Sequence, residues 1–169
     1  SAASDMYKRQ GKACSPSSAL WTWDTYALAN GTGRAMTQEG GKSWFFITAD
    51  YTFGHALERD TSEAVRSLGG EVVGAVRHPR ETTDFSSYLL QAQASGADVI
   101  ALANSSGDTM TAMKQAGEYG ITAGGQKLAG LLLFLTDVDG VGLETAQGLT
   151  LTTGFYWDFD DQTLPLIHI

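Results

Sequence analysis

Cysteine is nearly absent. The single Cys14 among 169 residues has no partner for an internal disulfide and no neighbour for a CxxC zinc site. Cations are also scarce: 11 Lys and Arg stand against 19 Asp and Glu, a formal net charge of −8. That balance argues against nucleic acid and anionic membrane partners, both of which need clustered basic residues. The longest apolar run, residues 128–135, is too short to cross a bilayer, and residues 1–10 lack the apolar core of a secretion signal. No G-x-G-x-x-G opens a predicted helix and no G-x-S-x-G is present, which argues against a dinucleotide cofactor and a nucleophile-elbow hydrolase.

What remains is an ordinary globular composition, with 43% hydrophobic and 18% charged residues, in a length suited to one domain. Short apolar runs alternate with helical periodicity. Trp44-Phe45-Phe46-Ile47-Thr48 is a β-rich run between Gly40-Gly41 and a polar turn. Residues 55–68 repeat apolar positions Leu57, Ala64, Val65 and Leu68 on one helical face, and Gly69-Gly70 ends them. Residues 71–76 form the next predicted strand. Asp84 is the predicted N-cap of a helix with Phe85, Tyr88, Leu89 and Ala92 at core spacing. The continuous apolar run 98–103 has the pattern of a strand buried on both faces. Residues 107–119 are helical in period, and 127–134 and 149–154 are further predicted strands. Residues 24–39 form a weaker helix, because Asn30-Gly31-Thr32-Gly33 by itself favours a turn. Strands separated by single helices are βαβ units, so the fold class is α/β, a doubly wound parallel sheet.

In an open parallel sheet, ligands bind beyond the carboxyl ends of the strands. Three segments fall there: Ala49-Asp50-Tyr51-Thr52-Phe53-Gly54, Asn104-Ser105-Ser106-Gly107-Asp108 and Phe134-Leu135-Thr136-Asp137. Tyr51 and Phe53 offer aromatic faces, Asn104 and Ser105 short polar groups at a helix start, and Phe134 an apolar wall. Together they suit a small ligand with an aromatic or aliphatic body and a polar or anionic end. The same residue types also serve as turn and capping residues. Catalytic patterns are weak: His55 opens a helix, His78 sits in a charged loop, and Cys14 has Lys12 but no base nearby. Asp137-Val138-Asp139-Gly140 lacks the remaining spacing of a calcium loop. Neither an enzyme nor a cofactor nor a metal site is expected. Trp21 and Trp23 are read as packing residues.

Several strings, in order, resemble the branched-chain-amino-acid type of solute-binding protein, with the type I periplasmic-binding-protein fold. They are Lys42-Ser43-Trp44 through Phe53-Gly54, Thr83-Asp84-Phe85-Ser86-Ser87-Tyr88-Leu89, Gly96-Ala97-Asp98-Val99-Ile100 and Lys114-Gln115-Ala116-Gly117-Glu118-Tyr119-Gly120-Ile121. The resemblance spans residues 11–159 and implies a two-lobed receptor that closes over a small molecule and delivers it to the permease subunits of an ABC importer, outside the cytoplasm. Residues 11–23 would end the first lobe and supply a hinge strand, and residues 24–162 would form the second lobe. Tyr51 or Phe53 would match the family's aromatic contact, and Asn104 and Ser105 its second contact loop. Phe134 falls near the place where amino-acid binders of the family put a carboxylate for the ligand's ammonium. The resemblance therefore implies a small amino-acid-like or aromatic or aliphatic carboxylate as ligand, with the weight shifted toward the latter. The alternative reading is a ligand-sensing domain of a receptor or regulator on the same fold. Residues 1–10 and 163–169 are similar to translations of a transposase sequencing adapter and are expected to be non-native tails.

Overall fold

A computed structural model describes residues 23–154 and 156. Cys14, Trp21, both expected tails and the expected hinge segment, apart from Trp23, lie outside these residues. In chain order the elements are α1 (Thr25–Gln38), β1 (Ser43–Ala49), α2 (Thr52–Ser67), β2 (Glu71–His78), α3 (Ser86–Ala94), β3 (Val99–Ala103), α4 (Ser106–Glu118), β4 (Lys127–Gly130), α5 (Leu135–Val141) and β5 (Thr150–Leu151). The strands form one parallel sheet in the order β2-β1-β3-β4-β5, as the doubly wound reading expects.

The alternation of side chains along a strand sorts the apolar residues into two cores. Trp44 and Phe46 point to one face of β1, where they pack with Leu28 and Met36 of α1 and Leu57 and Val65 of α2. Phe45 and Ile47 point to the other face and meet Phe85, Leu89, Met113 and Ile121. All five residues of β3 are buried, because helices cover the sheet on both sides at its centre. β2 is an edge strand and its residues are largely half-buried or exposed.

α1 is one unbroken helix, and tertiary packing overrides its turn-like sequence. Its N-cap Asp24 accepts a hydrogen bond from the Ala27 backbone N–H. A Cβ at Gly31 would stand 2.4 Å from Thr152 Oγ1, and one at Gly33 would stand 3.1 Å from Thr61 Cγ2. The glycines therefore let α1 approach β5 and α2 closely. Each costs roughly 1 kcal/mol against alanine in a helix; the burial of Leu28, Ala29 and Met36 offsets that cost.

Several boundaries differ from the sequence reading. α2 begins at Thr52, so His55 does not open it. β2 runs on to His78, and the strand expected over 149–154 is only Thr150–Leu151. α3 begins at Ser86, and its N-cap position is Phe85. Asp84 still serves the helix start, accepting from the Ser86 backbone N–H at 2.9 Å and from the Ser86 hydroxyl. Phe85 is fully buried, and its N–H donates to Gln115 Oε1 at 2.6 Å. β4 stops at Gly130; Leu131, Leu132 and Leu133 stay buried but leave the sheet, so the apolar run overstated the strand. α5 was not anticipated, although Asp137 carries its signal: that carboxylate accepts the Phe134 N–H at 2.9 Å, across the first turn.

Asp98 ties the starts of β1 and β3 together. Its carboxylate accepts from the backbone N–H groups of Ser43 and Lys42, both at 2.9 Å, while its own N–H donates to Ser43 Oγ at 2.9 Å. Ser43, through its backbone N–H and hydroxyl, holds the Asp98 carboxyl below its ordinary value, helped by Lys42 and Lys127. A carboxylate depressed in the folded state contributes stability above its unfolded pKa, and that contribution is lost as pH falls through the folded value. Stability should therefore drop on acidification below about pH 4, and Asp98→Asn should flatten that part of the curve in urea titrations. An unchanged slope would show that Asp98 adds nothing to acid sensitivity.

Candidate functional site

The strand order creates the crevice. From β1 the chain winds to β2 on one side, and β3 lies on the other, so the connections after β1 and β3 diverge at a topological switch point. Asp50 and Tyr51 follow β1, and Asn104 and Ser105 follow β3. The Asp50 N–H donates to His78 O and the Tyr51 N–H to Ala49 O, each at 2.8 Å. Gly54, in the first turn of α2, seats that helix directly on the strand ends. A Cβ there would lie 2.2 Å from Ala49 O and 2.9 Å from Ala103 O.

The expected site residues divide into an aromatic group and a polar group. Tyr51 is half-buried at the N-cap of α2. Its ring lies 5.9 Å from that of Phe53 at an interplanar angle of 26°, and the Arg80 guanidinium lies over it, 5.2 Å from the centroid. Phe53 is only 4% exposed and supports Tyr51 from within the core. Phe134, half-buried at the N-cap of α5, meets Trp23 with centroids 5.3 Å apart. Tyr51, Trp23 and Phe134 all pack against the core cluster that contains Phe53, Leu131 and Leu132.

The polar group is more committed than its sequence suggests. Asn104 is fully buried. Its Nδ2 lies 3.2 Å from His78 Nε2, and its Oδ1 accepts the Thr109 hydroxyl at 2.6 Å. His78 Nδ1 lies 2.7 Å from Pro79 O, and a carbonyl can only accept. Nδ1 therefore carries the proton and Nε2 accepts from the asparagine amide. His78 is thus no loop residue: it ends β2, is fully buried, and meets Phe85 and Tyr88 edge-on. Ser105 is the half-buried N-cap of α4, and its hydroxyl makes no capping bond.

Electrostatically, the helix starts matter most. Neither α2 nor α4 has a side-chain N-cap hydrogen bond, so backbone N–H groups at the positive ends of two helix dipoles face the strand ends. Three acids lie nearby, each with a partner: Asp50 with His55 at 2.9 Å, Asp137 with the Phe134 N–H, and Asp108, inside the first turn of α4, with the Glu81 N–H at 3.3 Å. Among the described residues, no group of three His, Cys, Asp or Glu side chains could hold a metal ion, and no helix is long and apolar enough to cross a membrane. Trp23 packs, as the sequence reading expects, against Phe134 and the core cluster; sequence reasoning missed Arg80 altogether. The pairing of Arg80 with Tyr51 joins two loops far apart in the chain, so no local pattern announces it.

The family model for periplasmic binding proteins matches residues 2–164. The Leu/Ile/Val-binding protein homolog 6 of Brucella suis biovar 1 (strain 1330) is 33% identical over 138 residues, 80% of this chain and 34% of the relative. The chain thus spans about a third of the length of the curated relatives it matches. A periplasmic binding protein from Burkholderia mallei, known from its crystal structure, is 49% identical with a TM-score of 0.86, over 96% of this chain and 43% of that one. The solute-binding protein of an ABC transporter from Rhodopseudomonas palustris HaA2, solved in complex with p-hydroxybenzoic acid, is 26% identical with a TM-score of 0.75, over 87% of this chain and 42% of that one.

Proposed function

This chain belongs to the periplasmic binding protein family, and from that premise we propose that it is the second lobe of the extracytoplasmic receptor of an ABC importer, capturing a small carboxylate with an apolar, preferably aromatic, body. The observation that carries the reading is the aromatic edge at the carboxyl ends of β1 and β4. There Tyr51, Phe134 and Trp23 offer half-buried ring surface beside two helix starts without side-chain caps. Rings supply area and orientation for a flat ligand, and uncapped N–H groups favour an anion. Phe134 cannot neutralise an ammonium group, which disfavours a zwitterionic amino acid. The p-hydroxybenzoic acid held by the Rhodopseudomonas relative has the expected chemistry.

Such a receptor performs no bond chemistry. Ligand contacts from two lobes stabilise the closed arrangement over the open one, and permease subunits respond to the closed form. Asn104 acts from behind the site, holding the loop after β3 through His78 and Thr109, while Ser105, with no capping bond of its own, is the candidate polar contact of that loop.

Calorimetry on the full-length protein tests this. It should give saturable heat with 4-hydroxybenzoate and none with leucine, and Phe134→Ala should weaken 4-hydroxybenzoate about tenfold, the scale of one lost aromatic contact. Tight leucine binding with no response to 4-hydroxybenzoate would sink the proposal.

A further inference from the structure

We infer that Arg80 is the residue that selects for the ligand's carboxylate, with Tyr51 as its positioning partner. This inference rests on the aromatic-carboxylate reading above and names the group that enforces it.

Arg80 lies in the turn after β2, and that turn is held in place. The Pro79 carbonyl accepts from His78 Nδ1 at 2.7 Å and from the Thr82 hydroxyl at 2.6 Å. Glu81 adopts φ 59°, the left-handed region that non-glycine residues rarely enter. Its N–H donates to Oδ2 of Asp108 at 3.3 Å, and Asp108 is itself only 8% exposed in the first turn of α4. A backbone conformation of this kind persists only where its surroundings enforce it. Here they hold the turn beside the loop after β1, so that the exposed Arg80 side chain lies with its guanidinium over the Tyr51 ring, 5.2 Å from the centroid.

The charge on Arg80 is also uncommitted. Arg59 pairs with Asp60 at 2.6 Å, and Arg77 forks onto Glu58 at 2.6 and 3.0 Å. Arg80 is exposed and, among the described residues, forms no ion pair. In a chain of net charge −8, this is a free cation beside the same loop as the uncapped start of α2. A guanidinium resting on an aromatic face keeps N–H donors available, and its planar fork matches a carboxylate in two parallel hydrogen bonds. The same cation repels an ammonium group, so one residue both attracts the acid and rejects the amine.

Tyr51 is thereby reassigned. Its ring is engaged by Phe53 and by Arg80, so its main task is to hold the guanidinium. Any contact with the ligand's own ring is secondary.

The test uses the full-length protein with 4-hydroxybenzoate and its neutral amide, 4-hydroxybenzamide, as probes. Arg80→Gln should weaken the acid about tenfold to a hundredfold and change the amide by less than about twofold, because only the acid uses a charge-assisted fork. Arg80→Lys should fall between wild type and Arg80→Gln for the acid. Tyr51→Leu should reproduce the acid-selective loss, and Tyr51→Phe should restore binding. Equal loss of acid and amide in Arg80→Gln, or no loss of either, would overturn the assignment while leaving the aromatic-carboxylate reading intact. Wild-type protein that takes leucine and ignores 4-hydroxybenzoate would overturn both.

Discussion

Gly54→Ala should lower the unfolding free energy by about 3–5 kcal/mol, near the upper end for a single substitution. The added methyl would sit 2.2 Å from Ala49 O, 3.1 Å from Ala49 C and 2.9 Å from Ala103 O. All three are backbone atoms of the two central strands, which pair from Trp44↔Val99 to Thr48↔Ala103. No flexible side chain is present to swing aside, so relief requires lifting the first turn of α2 off the sheet. That movement would unseat buried Phe53 and carry Tyr51 with it. Urea unfolding followed by circular dichroism measures the loss as a fall in the midpoint. A midpoint within error of wild type would mean that the close approach of α2 to the strand ends is not required by the fold.

Asn104→Leu should cost about 2–4 kcal/mol, although it exchanges a polar side chain for an apolar one of similar size in a core. The amide satisfies His78 Nε2 and the Thr109 hydroxyl, and all three residues are fully buried. Removing it strands one acceptor and one donor away from water, at about 1–3 kcal/mol each. Combining it with His78→Phe removes the stranded acceptor, so the double variant should recover part of the loss; a double-mutant cycle reads the coupling directly. Purely additive losses would show that the two side chains do not depend on each other. Through this network the loop after β3 is tied to the turn that presents Arg80.

Most of the fold was legible because its signals are local. The continuous run read over 98–103 signals a doubly buried strand, found at Val99–Ala103, and the Phe85, Leu89 and Ala92 spacing signals a helix facing a core. Where local signals misled, a distant residue had intervened. Asn30-Gly31-Thr32-Gly33 looks like a turn until Thr152 and Thr61 are placed beside its glycines. The run 128–135 looks like one strand, yet sheet pairing ends with Leu102↔Gly130.

The candidate site follows the same division. Tyr51, Phe53, Asn104, Ser105 and Phe134 could be named from the sequence because strand ends mark where a parallel sheet binds ligands. Their roles could not. The sequence by itself determined an α/β sheet with aromatic and small polar residues at its carboxyl edge, since periodicity and punctuation are properties of neighbouring residues. Only the tertiary structure decided that Asn104 is committed to His78 and Thr109, that Phe53 lies beneath Tyr51, and that Arg80 stands over the Tyr51 ring. Each of those contacts joins side chains whose distance is set by how strands stack and loops return. Burial and partner choice are decided there, and with them which polar groups stay free to meet a ligand.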